Sequence, residues 1–505
     1  MAVLVFSVVF NYFFNSSTSL KALVAIPMEN KITIVSPGDQ SIVAKRTLAT
    51  NSEIKETLTS TLNAQAQWQA LTIEQRSEYC VQAIDWFMQN QDELAKEISQ
   101  QMGRPIQSAA GEIRGLQERA LHMISLAESS LKDTPLPTKA GFKRFIRPTP
   151  LGSIMVIAPW NYPYLTAINS IIPALISGNC VILKHSAQTL LCAERFAQAF
   201  KSAGLPSGVF QFLHMNHHQT LELVRHPVIK YVHFTGSVEA GRVIEKSAAG
   251  LFKGIALELG GKDAAYVRED AKLDSAIENL VDGAFYNSGQ SCCGIERIYV
   301  HESLYDDFVK GFVSQANELI LGDPLDEHTT LGPMVNVKSA DVARQQIRQA
   351  KKLGAVCHID EGNFIINGQF THKKDTLNKN IAKQAHSNYL PPQVLTNVTH
   401  KMDIMSEESF APVVGIMKVK NDAQAVQLIN DSAYGLTASL WSQDQDACML
   451  LGDQIETGTV FMNRCDYLDP ALPWVGVKDS GRGCSLSKLA YQQLTRPKSF
   501  HFKKV

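Results

Sequence analysis

The chain has 505 residues, 45% of them apolar and 19% charged, with 48 basic against 49 acidic residues and a formal net charge of −1. That is the composition of a globular protein long enough for two or three domains. Without long Lys/Arg blocks, neither nucleic acid nor an anionic membrane is expected as a partner, because both need clustered positive charge.

The first residues, "MAVLVFSVVFNYFF", imitate the core of a signal peptide. No Lys or Arg precedes the run, Asn11 interrupts it, and it is shorter than the roughly 20 residues of a membrane-spanning helix. Met28 opens an ordinary polar start followed by a strand-like segment, so residues 1–27 are expected to be an upstream extension. Residues 52–132 show apolar positions recurring at three and four residues and read as helical. "AGFKRFIRPTPLGS" then reads as a short strand in an arm.

From Gly152 short apolar strands alternate with amphipathic stretches: "GSIMVIAP", "NCVILKHS", "GVFQFLHM", "IKYVHFTG" and "KGIALELGG". The rhythm predicts an α/β fold with a parallel, helix-covered sheet. Ligands of such sheets bind at the carboxyl ends of strands, which singles out Asn161, Lys184, Gly236 and Glu258. Strand and helix remain mixed up to "PWVGVKDSGRG", and the chain closes on "SFHFKKV" without an internal repeat.

Nine cysteines, an odd number with no C-x-x-C pair, read as reduced thiols and favour a cytoplasmic setting. In "SGQSCCG" a thiol after a Gly-Gln turn can project from a loop where backbone N–H groups stabilise a thiolate or an oxyanion. On this stretch alone, a buried cysteine pair at a strand start would look the same. In "LELGGK" the carboxylate of Glu258 ends an apolar strand and two glycines follow. An apolar cleft would raise its pKa and make it a general base near neutral pH. Asn161 in "APWNYPYL" can donate to an oxyanion, or can simply be a turn residue. His217 and His218 lack companions at ligand spacing, so no metal site is expected.

Taken together, "PWNYP", "FTGS", "LELGGK", "GQSC", "EESFAP" and "KDSGRG" occur in the order and at the distances of the aldehyde dehydrogenase superfamily, which the sequence resembles from about residue 30 onward. The resemblance implies an aldehyde dehydrogenase fold with a Rossmann-like cofactor domain (28–131 and 150–260), an α/β catalytic domain (261–478) and a β oligomerisation arm (132–149 and 479–505). A homodimer or homotetramer is expected. By the family pattern Gly-Gln-any-Cys, Cys292 is the nucleophile and Cys293 faces elsewhere. The implied reaction is attack of Cys292 on an aldehyde, oxyanion binding by Asn161 and the Cys292 N–H, hydride loss to NAD or NADP, and thioester hydrolysis by water activated by Glu258. The cofactor contacts carry over as Trp160, Lys184, Gly236, Ser237, Gly241, Leu259, Glu408 and Phe410.

Several positions depart from the family pattern. Ala411 and Val475 stand where it has glycines, which predicts extra bulk near the cofactor and the substrate mouth. NAD-preferring members carry a Glu at the position of Ala187, so NADP use is expected to be tolerated. Succinic-semialdehyde members place arginines at the positions of Asn169 and Tyr286. With Tyr162, Tyr286 and Trp474 expected to wall the tunnel, a neutral aliphatic or aromatic aldehyde is the predicted substrate, with a semialdehyde or betaine-like aldehyde as the alternative. Arg464 and Asp466 are placed near the mouth. A CoA-acylating relative would usually lack Glu258, and a non-catalytic scaffold would tolerate loss of Cys292, Glu258 or Asn161; all three are present.

Overall fold

The computed structural model describes residues 30–366, 369–370 and 388–504. The expected extension 1–27 and the start at Met28 lie outside the described residues.

The chain opens with an antiparallel hairpin, β1 (Lys31–Val35) and β2 (Ile42–Thr47). Four helices follow: α1 (Asn51–Ala70), α2 (Ile73–Gln89), α3 (Gln91–Met102) and α4 (Ile106–Leu131). Each of the first two begins with a reciprocal cap, Thr50 with Glu53 and Thr72 with Gln75, which satisfies N–H groups that a helix start leaves unpaired. Next come the strands β3 (Thr134–Pro135) and β4 (Phe142–Pro150).

The alternating region forms β5 (Ser153–Ala158), α5 (Pro163–Ile176), β6 (Cys180–His185), α6 (Leu191–Ser202), β7 (Phe210–Phe212), α7 (His217–Arg225), β8 (Ile229–Thr235), α8 (Val238–Ala248) and β9 (Gly254–Glu258). Every residue of β5 and β6 is buried, as expected where helices cover both faces of a parallel sheet.

Beyond it lie β10 (Asp263–Val267), α9 (Leu273–Phe285), β11 (Ile295–His301), α10 (Tyr305–Ala316), α11 (Val337–Lys352), β12 (Val356–Cys357), a small hairpin of β13 (Ile365–Ile366) and β14 (Gln369–Phe370), β15 (Gln393–Thr396), β16 (Val413–Val419), β17 (Tyr434–Gly435), β18 (Thr437–Trp441), β19 (Thr459–Met462), β20 (Val477–Lys478), β21 (Gly481–Arg482) and β22 (Thr495–Lys503).

Two large sheets result. One has six strands in the order β21-β9-β8-β5-β6-β7, parallel except for β21, and the other seven in the order β12-β15-β16-β11-β10-β18-β19, parallel except for β12. β22 runs the whole length of β4 in an antiparallel arm sheet completed by β3. β21, which the sequence reading grouped with the arm, instead closes the edge of the six-stranded sheet against β9. Thr235 and Glu258, the last residues of β8 and β9, line one cavity with Tyr162, which follows β5, and Cys292, which precedes β11.

Candidate active site

The loop that carries Cys292 begins where α9 ends. Asn287, Ser288 and Gly289 have φ of 53°, 58° and 67°, three successive left-handed residues that only surrounding contacts can hold. A Cβ on Gly289 would stand 2.1 Å from the carbonyl oxygen of Ala411, so the motif glycine is required by conformation and by contact. Gln290 braces the turn, accepting from the Val335 N–H at 2.8 Å and donating to the Asn287 carbonyl at 3.2 Å.

A buried ion pair absent from the sequence reading supports this loop. Arg104, between α3 and α4, pairs with Glu112 of α4, donates from Nε to Asn287 Oδ1 at 3.1 Å and reaches the Asn161 carbonyl. Glu112 also accepts from the N–H groups of Tyr164 at 2.7 Å and Leu165 at 3.2 Å, satisfying the start of α5. One pair thus ties together α4, the segment carrying Asn161 and the segment carrying Cys292.

Asn161 is buried after β5, and its Nδ2 donates to the Gln290 carbonyl at 3.2 Å. An amide nitrogen carries two hydrogens, so one donor remains. Cys292 is half-buried and lines a cavity of about 410 Å³ that Glu258 also lines. Cys293, expected to face elsewhere, lines the same cavity. Its thiol lies 2.9 Å from Asp466 Oδ1, and its contact with Cys292 together with burial pushes it well above the usual thiol range. Cys293 is therefore held as a thiol donor, and adjacency in sequence does not force the two side chains apart.

Glu258 ends β9. Its Oε1 accepts from Ser485 and its Oε2 from Thr235 Oγ1 at 3.1 Å, while His233 Nε2 lies 3.4 Å from Oε1. The cleft around this carboxyl is polar, contrary to the apolar one expected. Burial acts to raise its pKa, but His233, Ser485 and Thr235 outweigh burial and hold the carboxyl below its ordinary value. Glu258 is poised as a carboxylate, ready to accept a proton.

Tyr162, Tyr286 and Trp474 line the cavity, as do Asn169 and Leu259, the last of which the sequence reading gave as a cofactor contact. The wall also carries Arg104, Glu112, Arg114, Glu118, Arg119, Asp282 and Asp466 beside Leu165 and Leu468, so aromatic, aliphatic and ionisable groups share it. Arg464 is not among the lining residues; its guanidinium carbon lies 3.4 Å from the ring centroid of Tyr467, which is. Asp466 points inward and accepts from Ser291 Oγ at 2.9 Å. Neither Ala411 nor Val475 lines the cavity; Ala411 is buried, so the bulk predicted at the mouth falls elsewhere.

The cofactor positions gather at the carboxyl edge of the six-stranded sheet. Lys184, the penultimate residue of β6, is buried, has no hydrogen-bond or ion-pair partner among the described residues, and burial pulls its pKa down to about 8. A buried ammonium without a partner fits a group that brings hydroxyl or phosphate oxygens. Ser237 caps α8, and its Oγ accepts from the Ala240 N–H at 3.3 Å. Gly236 and Gly241 are close-approach positions, where a Cβ would stand 2.6 Å from Phe234 and from Leu259 respectively.

On the facing side, Trp160 and Phe410 meet edge to face at 5.7 Å. Phe410 has φ 49°, and its N–H donates to Glu296 at 2.8 Å. Glu408 accepts from the Gly261 N–H at 3.0 Å, and burial and Glu296 push its carboxyl up to about 7. The residues present therefore fit a dinucleotide.

A family model described as the aldehyde dehydrogenase family matches residues 26–500. The chain belongs to the aldehyde dehydrogenase family. It is an oxidoreductase acting on aldehydes with NAD(P) as cofactor. An aldehyde dehydrogenase of Paenarthrobacter nicotinovorans is 33% identical over 85% of this chain and 91% of its own. The succinate semialdehyde dehydrogenase [NAD(P)+] Sad of Escherichia coli K12 is 32% identical over 83% and 87%. Among solved structures, Gox0499 superposes with a TM-score of 0.85 at 31% identity, covering 93% of this chain and 99% of that one. PnpE in complex with nicotinamide adenine dinucleotide superposes with a TM-score of 0.86 at 27% identity, covering 94% of each chain.

Arg104, Glu112, Arg119, His233 and Ser485 escaped the sequence reading. They sit outside the short motifs or beside them, and only Gly103-Arg104-Pro105, at the punctuation between two helices, offered any signal.

Proposed function

We propose that this aldehyde dehydrogenase converts its substrate to the free carboxylic acid through a covalent thioester on Cys292. The supporting observation is that Cys292 and Glu258 line one cavity while Asn161 is tied to the loop that carries the cysteine. Attack of the Cys292 thiolate on the aldehyde carbon forms a C–S bond and places negative charge on the oxygen. The free Asn161 N–H and the Cys292 backbone N–H hold that oxygen. When bound, the nicotinamide supplies a hydride acceptor. Glu258 then takes a proton from water, whose oxygen attacks the thioester carbon; the C–S bond breaks and the thiolate is restored.

Lys184, Ser237 and the start of α8, with Glu408 and Phe410, would hold the cofactor. The exposed Ala187 leaves the ribose 2′ position free of a carboxylate, which supports use of NADP as well as NAD. The proposed domains are those of the sequence reading, with β21 reassigned. The long β4 and β22 strands support assembly as a homodimer or homotetramer, and the reduced cysteines support a cytoplasmic setting.

The deciding experiment follows reduced-cofactor absorbance with aldehyde and NAD(P), with and without CoA. Free acid without CoA, lost in Cys292→Ala, is expected. An unimpaired Cys292→Ala enzyme, or strict dependence on CoA, overturns the mechanism.

A further inference from the structure

We propose that His233 receives the proton that Glu258 takes from water, so that the carboxylate is restored within the turnover, before the acid product leaves. The proposal rests on Glu258 as the base of thioester hydrolysis.

The Glu258 carboxyl has two sides. Thr235, which donates to Oε2 at 3.1 Å, lines the cavity together with Cys292, whereas Ser485 and His233, which meet Oε1, do not line it. Glu258 therefore stands between the cavity where water is consumed and the histidine behind it. Ser485 and Thr235 are hydroxyls, and neither holds an extra proton near neutral pH. Among the described residues in contact with the carboxyl, that leaves the His233 imidazole as the base.

His233 differs from a histidine held for packing alone. His185, equally buried at the end of β6, has both ring nitrogens engaged. Its Nε2 lies 3.0 Å from the Pro163 carbonyl and its Nδ1 3.1 Å from Thr189 Oγ1, and burial pulls its pKa down to about 4. His233 Nε2 has no hydrogen-bond partner among the described residues, and its ladder neighbours on β5 and β9 are Val156 and Ala256. At 3.4 Å from Oε1, a small approach brings it into range of a proton on the carboxyl. An unpaired buried nitrogen costs stability, and the protonated carboxyl gives it a partner in each turnover.

In the step, an O–H bond of water breaks as its oxygen bonds to the thioester carbon. The proton goes to Glu258 and then to His233 Nε2, which leaves a carboxylate beside an imidazolium. The second hydrogen of the water departs with the acid. Burial opposes charge on Glu258, but His233, Ser485 and Thr235 outweigh it, so the ionised pair is favoured over the neutral acid. The imidazolium returns its proton to solvent once the acid has left.

The test acetylates Cys292 with nitrophenyl acetate and follows deacetylation in wild type, His233→Gln, His233→Ala and Glu258→Gln. The nitrophenol burst reports an intact cysteine site in each. Glutamine keeps an N–H for Glu258 but holds no extra proton, so it separates orientation of the carboxyl from relay. In His233→Gln the burst should persist, deacetylation should slow at least about tenfold, and acetyl-enzyme should accumulate in intact mass spectra. Imidazole should restore the rate of His233→Ala, whereas pyrazole, of the same shape but hardly basic, should not. A wild-type rate in His233→Gln, or an equal response of His233→Ala to the two additives, overturns the proposal and leaves the thioester reading intact. If Glu258→Gln also deacetylates like wild type, the proposal falls together with the reading beneath it.

Discussion

His233 Nε2 stands 3.4 Å from Glu258 Oε1, and both side chains are buried. Strand alternation explains the meeting: positions 233 and 235 of β8 share a face, and Thr235 is paired in register with Glu258 of β9. Among the described residues that nitrogen has no hydrogen-bond partner, so its polar interaction is with Glu258, the proposed general base. Because Glu258 is held below its ordinary pKa, it stays deprotonated as pH falls toward the carboxyl range, and ester hydrolysis should keep its rate well into acid. In His233→Ala burial loses an opponent, Glu258 binds its proton at higher pH, and the acid limb should move upward. Superimposable pH profiles of nitrophenyl acetate hydrolysis for wild type and His233→Ala would remove this role.

The cysteine pair should divide sharply. Cys293 is held protonated against Asp466, so iodoacetamide near neutral pH should label Cys292 of the pair and leave Cys293 untouched, as peptide mass spectrometry would read. Cys293→Ala should retain most dehydrogenase activity, and Cys292→Ala should lose both dehydrogenase and esterase activity.

Arg104 and Glu112 form a pair with side chains 1% and 0% exposed. Breaking it strands a buried charge, so Arg104→Met should cost about 3–5 kcal/mol in stability. The double variant Arg104→Met/Glu112→Leu should cost less than the sum of its parts. Urea midpoints measure both, and additive losses would show that the two residues act separately.

Glu408 predicts a pH dependence of cofactor binding. Its carboxyl, pushed up to about 7, is protonated below that pH and becomes a full acceptor above it. The KM for NAD(P) should therefore fall as pH rises through about 7, and Glu408→Gln should flatten the dependence. Gly260→Ala would place a Cβ 2.4 Å from both Glu408 carboxylate oxygens, so it should raise the cofactor KM while cofactor-independent esterase activity persists.

Ala187 starts the short turn after β6 and is exposed. Ala187→Glu places a carboxylate near the expected ribose 2′ position, and it should lower kcat/KM for NADP by at least about tenfold while sparing NAD. Equal losses with both cofactors would show that this turn does not read the 2′ substituent.

What the amino-acid order determined by itself was local and periodic. Apolar runs such as "SIMVIA" and "CVILKH" specify buried strands whatever lies around them, because burial of both faces needs apolar side chains at every position. Cys292, Glu258 and Asn161 were legible because each sits in a short motif whose backbone is locally demanding, as the left-handed turn at Gly289 shows. What only the tertiary structure decided was the electrostatic setting of those groups. His233 reaches Glu258 through strand register, Asp466 reaches Cys293 across 173 residues, and Arg119 reaches the cavity from a helix that carries none of the motifs. A charge is stabilised or left exposed by whatever packs within a few ångströms of it, and that neighbourhood is set by how the two sheets and α4 come together, not by neighbours along the chain.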